Sequence, residues 1–557
     1  MLSFKYAVRS TILAFAGICG CLSLNACFNT KQPETAEPAS AQRAESKEFA
    51  LAMEGAKKGG AEEQYRVAEM YEVGNGVAKD ENKAFEWYQK SAEQGFAPAQ
   101  YKLGGAFLGD FLKERGMPRN EKLAFQYIEK AANQGLPEAQ YYLAAMYIRG
   151  EGTEINDDLA FQLASRSAEQ GYLRALGFLA ALYFDGRGVV QDIEKAIQLM
   201  TDAAEKGDSD SQLRLGIAYC YGQGVECDLD KCHYWLTKSA EQGNAEAQRF
   251  LGLSYVDGEV VGDHKDYALA VQWLTKAAEQ DDVLAQRYLG IQYLQGNGVD
   301  RDLDSAAKWL TKAAEQGDAQ AQHYLAVLLL LDVGNNNGEP NRKEAFRWCK
   351  ASAEQGNAEA QQMLASMYLN GEGVEKDINT AAQWYLKAAD QGNAHAQYNV
   401  GVMYGNGEGL EKSSDKALTY LKMSADQGYE KAIQALDLIV QNTTSQADQG
   451  NAEAQRAIGV MYAFGLGVDE DLNKATKYLK MAADQGNEDA ALRLKSMAEA
   501  FMEEAERGTP EAQYNMGLFY LDGIGVEKNK KKSKEYFKMA ADQGYEPAKE
   551  ALNALGK

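Results

Sequence analysis

Residues 244–281 read NAEAQRFLGLSYVDGEVVGDHKDYALAVQWLTKAAEQD, and this stretch decides the fold. Asn244 follows a glycine and can cap a helix N-terminus, with Glu246 in the first turn where a negative charge suits the helix dipole. Ala247, Leu251, Gly252 and Tyr255 fall at i, i+4, i+5 and i+8, an apolar helical stripe. A glycine-containing turn follows, and a second helix carries Ala270, Trp273, Leu274, Ala277 and Ala278. Two such helices touching through small side chains form a hairpin that cannot bury its stripe alone and must stack on neighbours. In most other units Gln-Gly ends the second helix, glycine being available for the left-handed position after a helix; here Asp281 stands in its place.

The same pattern recurs from residue 50 onward. Gly-x-Gly pairs begin at Gly74, Gly150, Gly186, Gly222, Gly296, Gly371, Gly407, Gly465 and Gly523, and the steps 150 to 186 to 222 and 371 to 407 are 36 residues. The gaps 74 to 150 and 296 to 371 hold two units each, with altered turns near Gly109 and Gly334. A further altered turn begins at Gly258, which makes twelve turn-bearing units. Glu/Asp-Gln-Gly recurs in the same register, as at 93–95, 315–317 and 542–544. The last two gaps, 407 to 465 to 523, are 58 residues, one unit plus 22. The extra pieces near 429–447 and 487–505 each read as a helix pair that has lost its Gly-x-Gly turn. All six tryptophans (Trp87, Trp235, Trp273, Trp309, Trp348, Trp384) sit six residues before the Glu or Asp of the junction. Recurrence at one position predicts inter-helix core rather than a ligand-binding aromatic box.

At roughly 150 residues per domain, 557 residues would suggest three or four domains. The repeat replaces that estimate with one array over 49–557. Glycine at 53 with proline at only 8 excludes a collagen-like or disordered mixture. A net charge of −23 argues against nucleic acid as a partner. At the N-terminus, Lys5 and Arg9 precede an uncharged, mostly apolar run from Ser10 to Leu24, too short to span a membrane and suited to a signal-peptide core. Leu24-Asn25-Ala26-Cys27 resembles the lipobox of bacterial lipoproteins. That likeness implies a signal peptide at 1–26 and lipidation of Cys27. Residues 27–48 are polar, hold Pro33 and Pro38, and read as a flexible tether. Phe28, rather than Asp, after the cysteine is similar to lipoproteins sent on to an outer membrane.

The string A-x-A-Q-Y-x-L-G-x-x-Y-x-x-G-x-G-V-x-x-D-x-x-K-A-x-x-W-x-x-K-A-A-x-Q-G is seen almost intact in 394–428 and 452–486. It resembles the Sel-1-like repeat, a relative of the tetratricopeptide repeat with a longer inter-helix turn, over roughly residues 50–555. The resemblance implies an all-α fold, a right-handed α-solenoid of helix-turn-helix units whose first helices line a concave face. It also implies a scaffold or adaptor for protein complexes, often in bacterial envelopes. In tetratricopeptide-like repeats a concave-face side chain lies two residues before the patterned Leu-Gly. Here that position holds Tyr101, Tyr141, Arg249, Arg287, His323, Gln362, Tyr398, Arg456 and Tyr514. It varies while Ala, Leu and Tyr around it repeat, as expected of a surface freed from packing. Arg249, Arg287 and His323 predict a local basic patch suited to an acidic peptide.

Catalytic patterns are sparse. The four histidines, His233, His264, His323 and His395, lie in different units, and no H-E-x-x-H, P-loop or nucleophile elbow is present. Gly-x-Gly-Val follows a helix and lacks the P-loop lysine, so it reads as a turn needing glycine backbone angles. Ser305-Ala-Ala-Lys308 shares a spelling with penicillin-recognising serine enzymes, but their Ser-Asp-Asn and Lys-Thr-Gly partners are absent. No catalytic residue, metal site or cofactor is assigned. Cys220, Cys227 and Cys232 share one unit with His233, at a spacing that fits zinc poorly. An exported compartment permits a disulfide, while reduced thiols and pairings through Cys227 stay open. A Cys220–Cys232 bridge would resemble the cysteine-rich branch of the family. The expected function is a non-enzymatic envelope scaffold that binds proteins or peptides and touches membrane only through its lipid, facing the periplasm or the cell surface. The alternative is a binder or regulator of peptidoglycan or cell-wall enzymes, with a β-lactam-binding or hydrolysing enzyme third.

Overall fold

The computed structural model describes residues 46–109, 119–258, 265–331 and 341–556; Cys27, the signal segment, residues 27–45 of the expected tether and Gly334 lie outside them, while the tether's last residues, 46–48, are the cap and start of the first helix. The described residues form twenty-eight helices and no strand, an all-α solenoid. The described residues divide into two compact halves, up to residue 302 and from residue 303 onward. In the first half the helix Lys47–Lys57 is followed by six hairpins, from Ala61–Val73 with Glu81–Glu93 to Ala245–Asp257 with Tyr267–Glu279, and then by Val283–Gln295. In the second half Leu303–Glu315 is followed by three hairpins, the last of them Ala394–Asn406 with Ser414–Asp426. Then come Glu430–Asp448, a hairpin at 452–484, Glu488–Glu506, a hairpin at 510–542 and Glu546–Gly556.

Local chemistry sets the helix ends. Asn244 Oδ1 accepts the Ala247 N–H at 3.0 Å, and Asp228 does the same for Lys231 at the start of the second helix before it. Pro98, Pro137 and Pro510 occupy first-turn positions, where no backbone donor is needed. First helices end on a left-handed glycine such as Gly150, φ 70°. The second glycine of the pair does something else. A Cβ on Gly152 would lie 2.2 Å from the carbonyl oxygen of Glu121 in the preceding unit, so the turn rests directly on backbone. Among the described residues Asp281 is the one non-glycine with positive φ, at 63°; the short polar side chain tolerates it and accepts the Gln286 amide at 3.3 Å. The altered turn at Gly109 ends its helix in extended backbone, φ −84°.

The 22-residue pieces differ from the expected helix pairs. Each is a single 19-residue helix, Glu430–Asp448 and Glu488–Glu506. Neither helix contains a glycine or proline, so nothing breaks it where a turn would stand. Ala432 and Leu436 are buried as in a first helix, and Ala447 is buried as at the end of a second helix.

The tryptophans are half-buried rather than fully internal. Trp273 packs against a cluster holding Leu213, Leu236 and Leu251, and its other face lies 4.0 Å from Lys276 Nζ. Trp87 and Trp384 are covered in the same way by Lys90 and Lys387, at 4.2 and 3.9 Å. A lysine one turn on covers the ring face that packing leaves open.

Candidate interaction site

The nine row residues all lie on first helices at one register position, yet none is exposed. Six of them, Tyr101, Tyr141, Arg249, Tyr398, Arg456 and Tyr514, reach a residue beyond their own helix. Tyr101 meets Tyr142 with ring centroids 5.4 Å apart, Tyr141 meets Tyr172 at 5.5 Å, Tyr398 meets Tyr429 at 5.5 Å and Tyr514 meets Tyr545 at 5.4 Å. Arg249 reaches Asp282 at 3.2 Å and Glu246 at 3.3 Å. Those six vary as joints rather than as a surface freed from packing. A signal for this was present in the chain. Tyr65, Tyr141, Tyr398 and Tyr514 each stand 31 residues before an aromatic: Phe96, Tyr172, Tyr429 and Tyr545.

The expected basic patch is also corrected. Arg249 is neutralised by its two carboxylates. Burial pulls His323 below the ordinary imidazole range and keeps it neutral at pH 7. Arg287 is half-buried, with its guanidinium carbon 4.8 Å from the Tyr288 ring centroid. Gln362 is half-buried as well.

The motif glutamines form a ladder whose role the spacing alone did not disclose. Gln248 donates to the Ala240 carbonyl at 3.0 Å and accepts from Gln280 at 2.8 Å. Gln397 donates to Ala389 at 3.2 Å and accepts from Gln427 at 2.8 Å. The same pair of bonds joins Gln212 and Gln242, Gln361 and Gln391, and Gln513 and Gln543. Each bridge ties a hairpin shut and ties it to the hairpin before, which keeps buried amides satisfied. It lapses in the single helices, where Ile433 and Ala491 occupy the glutamine position.

In the second half, an open cleft of about 570 Å³ is lined by Ser413, Asp415, Glu453, Arg456, Asp489 and Arg493. Arg456 pairs with Glu453 at 2.7 Å, Asp489 at 3.1 Å and Asp415 at 3.5 Å. Arg493 holds Asp489 at 2.8 Å and also pairs with Asp415, 78 residues away in sequence. Hydrogen bonding from Arg456 holds the Glu453 carboxyl below the usual carboxylate range, and Arg493 does the same for Asp489.

Cys220 and Cys232 are joined as a disulfide across one hairpin, Cα atoms 5.1 Å apart, and Cys227 is an exposed free thiol. Burial pushes the separate Cys349 thiol up to about 12. Lys308 is exposed one turn beyond Ser305, its Nζ 5.9 Å from the Trp309 ring. Among the described residues no group of three or more His, Cys, Asp or Glu is arranged to hold a metal ion. Among the same residues no helix is long and apolar enough to cross a membrane.

Comparison with protein families matches the Sel1 repeat to twelve segments: ten end to end from 64 to 429, then 452–487 and 510–545. The stretches between the last three are those of the single helices. Among curated proteins, DAP3-binding cell death enhancer 1 of Mus musculus is 28% identical over 109 residues, and that of Rattus norvegicus 29%. The alignment takes in 20% of this chain and spans only 17% of those relatives. Among solved structures, a protective antigen present in uropathogenic Escherichia coli strains and displaying an SLR fold is 29% identical, with a TM-score of 0.50, covering 90% of this chain and 97% of that one. A Sel1 repeat protein from Oxalobacter formigenes is 34% identical, with a TM-score of 0.41, covering 56% of this chain and 90% of that one.

Proposed function

Because the chain belongs to the Sel1 repeat family, whose members generally mediate protein–protein interaction, we propose that it is a non-enzymatic scaffold of the bacterial envelope, tethered through Cys27. The observation that carries this reading is the Sel1 match itself, unbroken from residue 64 to 429 and resumed twice beyond it. Such units stack on their neighbours and here spend their internal polar groups on the joints between them. Export is supported by the apolar run and lipobox-like ending of residues 10–27. It is supported also by the likeness to a protective antigen present in uropathogenic Escherichia coli strains.

The test is affinity purification of the chain from cross-linked cells of its own source. A defined set of protein partners, recovered equally with Ser305→Ala, is the expected result. Recovery of no protein, together with retention of the chain on purified sacculi, would replace this reading with peptidoglycan binding. Hydrolytic turnover abolished by Ser305→Ala would overturn the non-enzymatic part. Cys27→Ala is expected to move the chain out of the membrane fraction, and an unchanged mass and location would remove the tether.

A further inference from the structure

The hairpin at 510–542 carries a charge pattern found nowhere else in the described residues. Lys528, Lys530, Lys531, Lys532, Lys534 and Lys538 fall within eleven residues of a chain whose net charge is −23. All six are exposed. Three of them, Lys530, Lys531 and Lys532, occupy the first turn of the helix Lys530–Asp542, where the dipole disfavours positive charge. Most other second helices place an acid there, such as Glu81, Glu121, Asp230 or Asp415. In three other units the lysine three residues after the cap is neutralised by its Asp cap: Lys83 by Asp80 at 3.2 Å, Lys231 by Asp228 at 3.3 Å, Lys474 by Asp471 at 3.4 Å. Here the cap is Asn529, which accepts the Lys531 and Lys532 N–H groups but brings no charge. None of the six lysines forms an ion pair among the described residues, although Glu535 and Asp542 stand one turn beyond Lys531 and Lys538.

The geometry of the patch selects its partner. At 100° per residue, Lys530, Lys531, Lys534 and Lys538 share a stripe about 100° wide and about 12 Å long on one helix face. Ser533, Phe537 and Ala540 form the buried side. The stripe lies on the outward face of a single helix, with each of its lysines exposed. Its cations are lysines, hydrated point charges on flexible stems, rather than the planar forks that fit one carboxylate or a base edge. The neighbouring ring, Tyr536, is half-buried and has one face stacked on Tyr520, which leaves no open aromatic platform of the kind that single-stranded nucleic acid uses. We infer that this lysine face docks on the phosphate headgroups of an anionic lipid bilayer, a second membrane contact besides the proposed lipid on Cys27. Clusters of four to eight lysines on one helix have the charge density for such a surface, and the attraction acts within a Debye length, so the acidity of the remaining array does not cancel it. The inference rests on the envelope reading only for access to a bilayer.

The experiment uses the full chain carrying Cys27→Ala, so that no acyl chain contributes. It is sedimented with phosphatidylcholine vesicles, with and without phosphatidylglycerol. Binding to the anionic vesicles alone is expected, released by 1 M salt. Lys530→Gln/Lys534→Gln/Lys538→Gln should lower the partition coefficient about 100-fold at unchanged helicity. Lys47→Gln/Lys57→Gln/Lys79→Gln should leave it within about threefold. Equal binding to neutral vesicles, or full retention by the 530/534/538 variant, would overturn the inference. So would tighter lysine-dependent binding to duplex DNA than to vesicles, or a lysine-dependent dimer in their place. If wild-type chain carries lipid on Cys27 while the unlipidated chain ignores anionic vesicles, the patch alone fails. If Cys27 carries no lipid and vesicle binding persists, the tether alone fails.

Discussion

The hairpin Ala394–Asn406/Ser414–Asp426 and the single helix Glu430–Asp448 that follows it begin and end alike but differ in the middle. Both open with a buried alanine two residues into the helix, Ala396 and Ala432, and both close on Asp-Gln-Gly. Between those points the hairpin has Gly407 and Gly409, and the single helix has no glycine at all. The single helix, 19 residues long, lacks both the glycine turn and the length for a second helix. The change propagates. The hairpin keeps its glutamine bridge, Gln427 to Gln397, while Gln449 of the single helix turns to Ser445 at 3.4 Å. Around the single helices, Asp415 and Arg493 come into contact although 78 residues separate them.

The comparison can be broken at several points, each read by urea unfolding with hydrogen exchange over the affected residues. The largest effect is expected from Asn442→Pro. Residue 442 is inside the single helix, where proline removes a hydrogen bond and clashes with the turn before, for a loss of about 3 kcal/mol or more. Gly409→Ala strikes the hairpin instead. A Cβ there would lie 2.7 Å from the Ile378 carbonyl oxygen at φ +71°, and a loss of about 2–3 kcal/mol is expected. Gly428→Ala, at φ +80° with nothing within 4 Å, should cost only about 1 kcal/mol. If the two glycines prove equal, close approach is not what the second glycine of the turn provides.

Arg456→Ala should cost about 2 kcal/mol, less than for a fully buried network because its partners Asp415, Glu453 and Asp489 stay 44%, 67% and 48% exposed. The acid dependence is the sharper readout. Glu453 and Asp489 have carboxyls held below their ordinary values of 4.5 and 3.8, so their contribution is present above those values and is lost as pH falls below them. The Arg456→Ala chain should show a flatter stability profile below pH 4.5. Gln397→Ala should cost about 1 kcal/mol by removing both bonds of the bridge, less than a full orphaning because the Ala389 carbonyl keeps the Gly392 N–H at 2.9 Å and the Gln427 amide keeps the Met423 carbonyl at 3.4 Å. Ile433→Gln, at the equivalent but 40% exposed position of the single helix, should stay within about 0.5 kcal/mol.

The helical hairpins were legible because their signals are local. Ala247, Leu251 and Leu274 follow a 3.6-residue period, and Gly150 and Gly186 mark left-handed helix ends within the same short stretch. The candidate row was legible in position but not in meaning. Tyr141 and Arg249 vary from unit to unit like surface residues, yet each is matched to a residue of the following unit, Tyr172 or Asp282. Variation within one chain marks freedom only where the neighbour does not vary with it.

From its sequence alone this protein is a stack of Sel1-type helical hairpins, since hydrophobic period, caps and glycine turns act over a few residues and need no tertiary context. Only the tertiary structure decided the rest. It closed two shortened segments into single helices and joined the glutamines into a ladder. It turned six residues of the variable row toward the joints and brought Asp415 to Arg456 and Arg493. Those contacts link residues about 30 to 78 positions apart. They depend on how one hairpin seats on the next, which is set by packing of whole helix faces and not by any single motif.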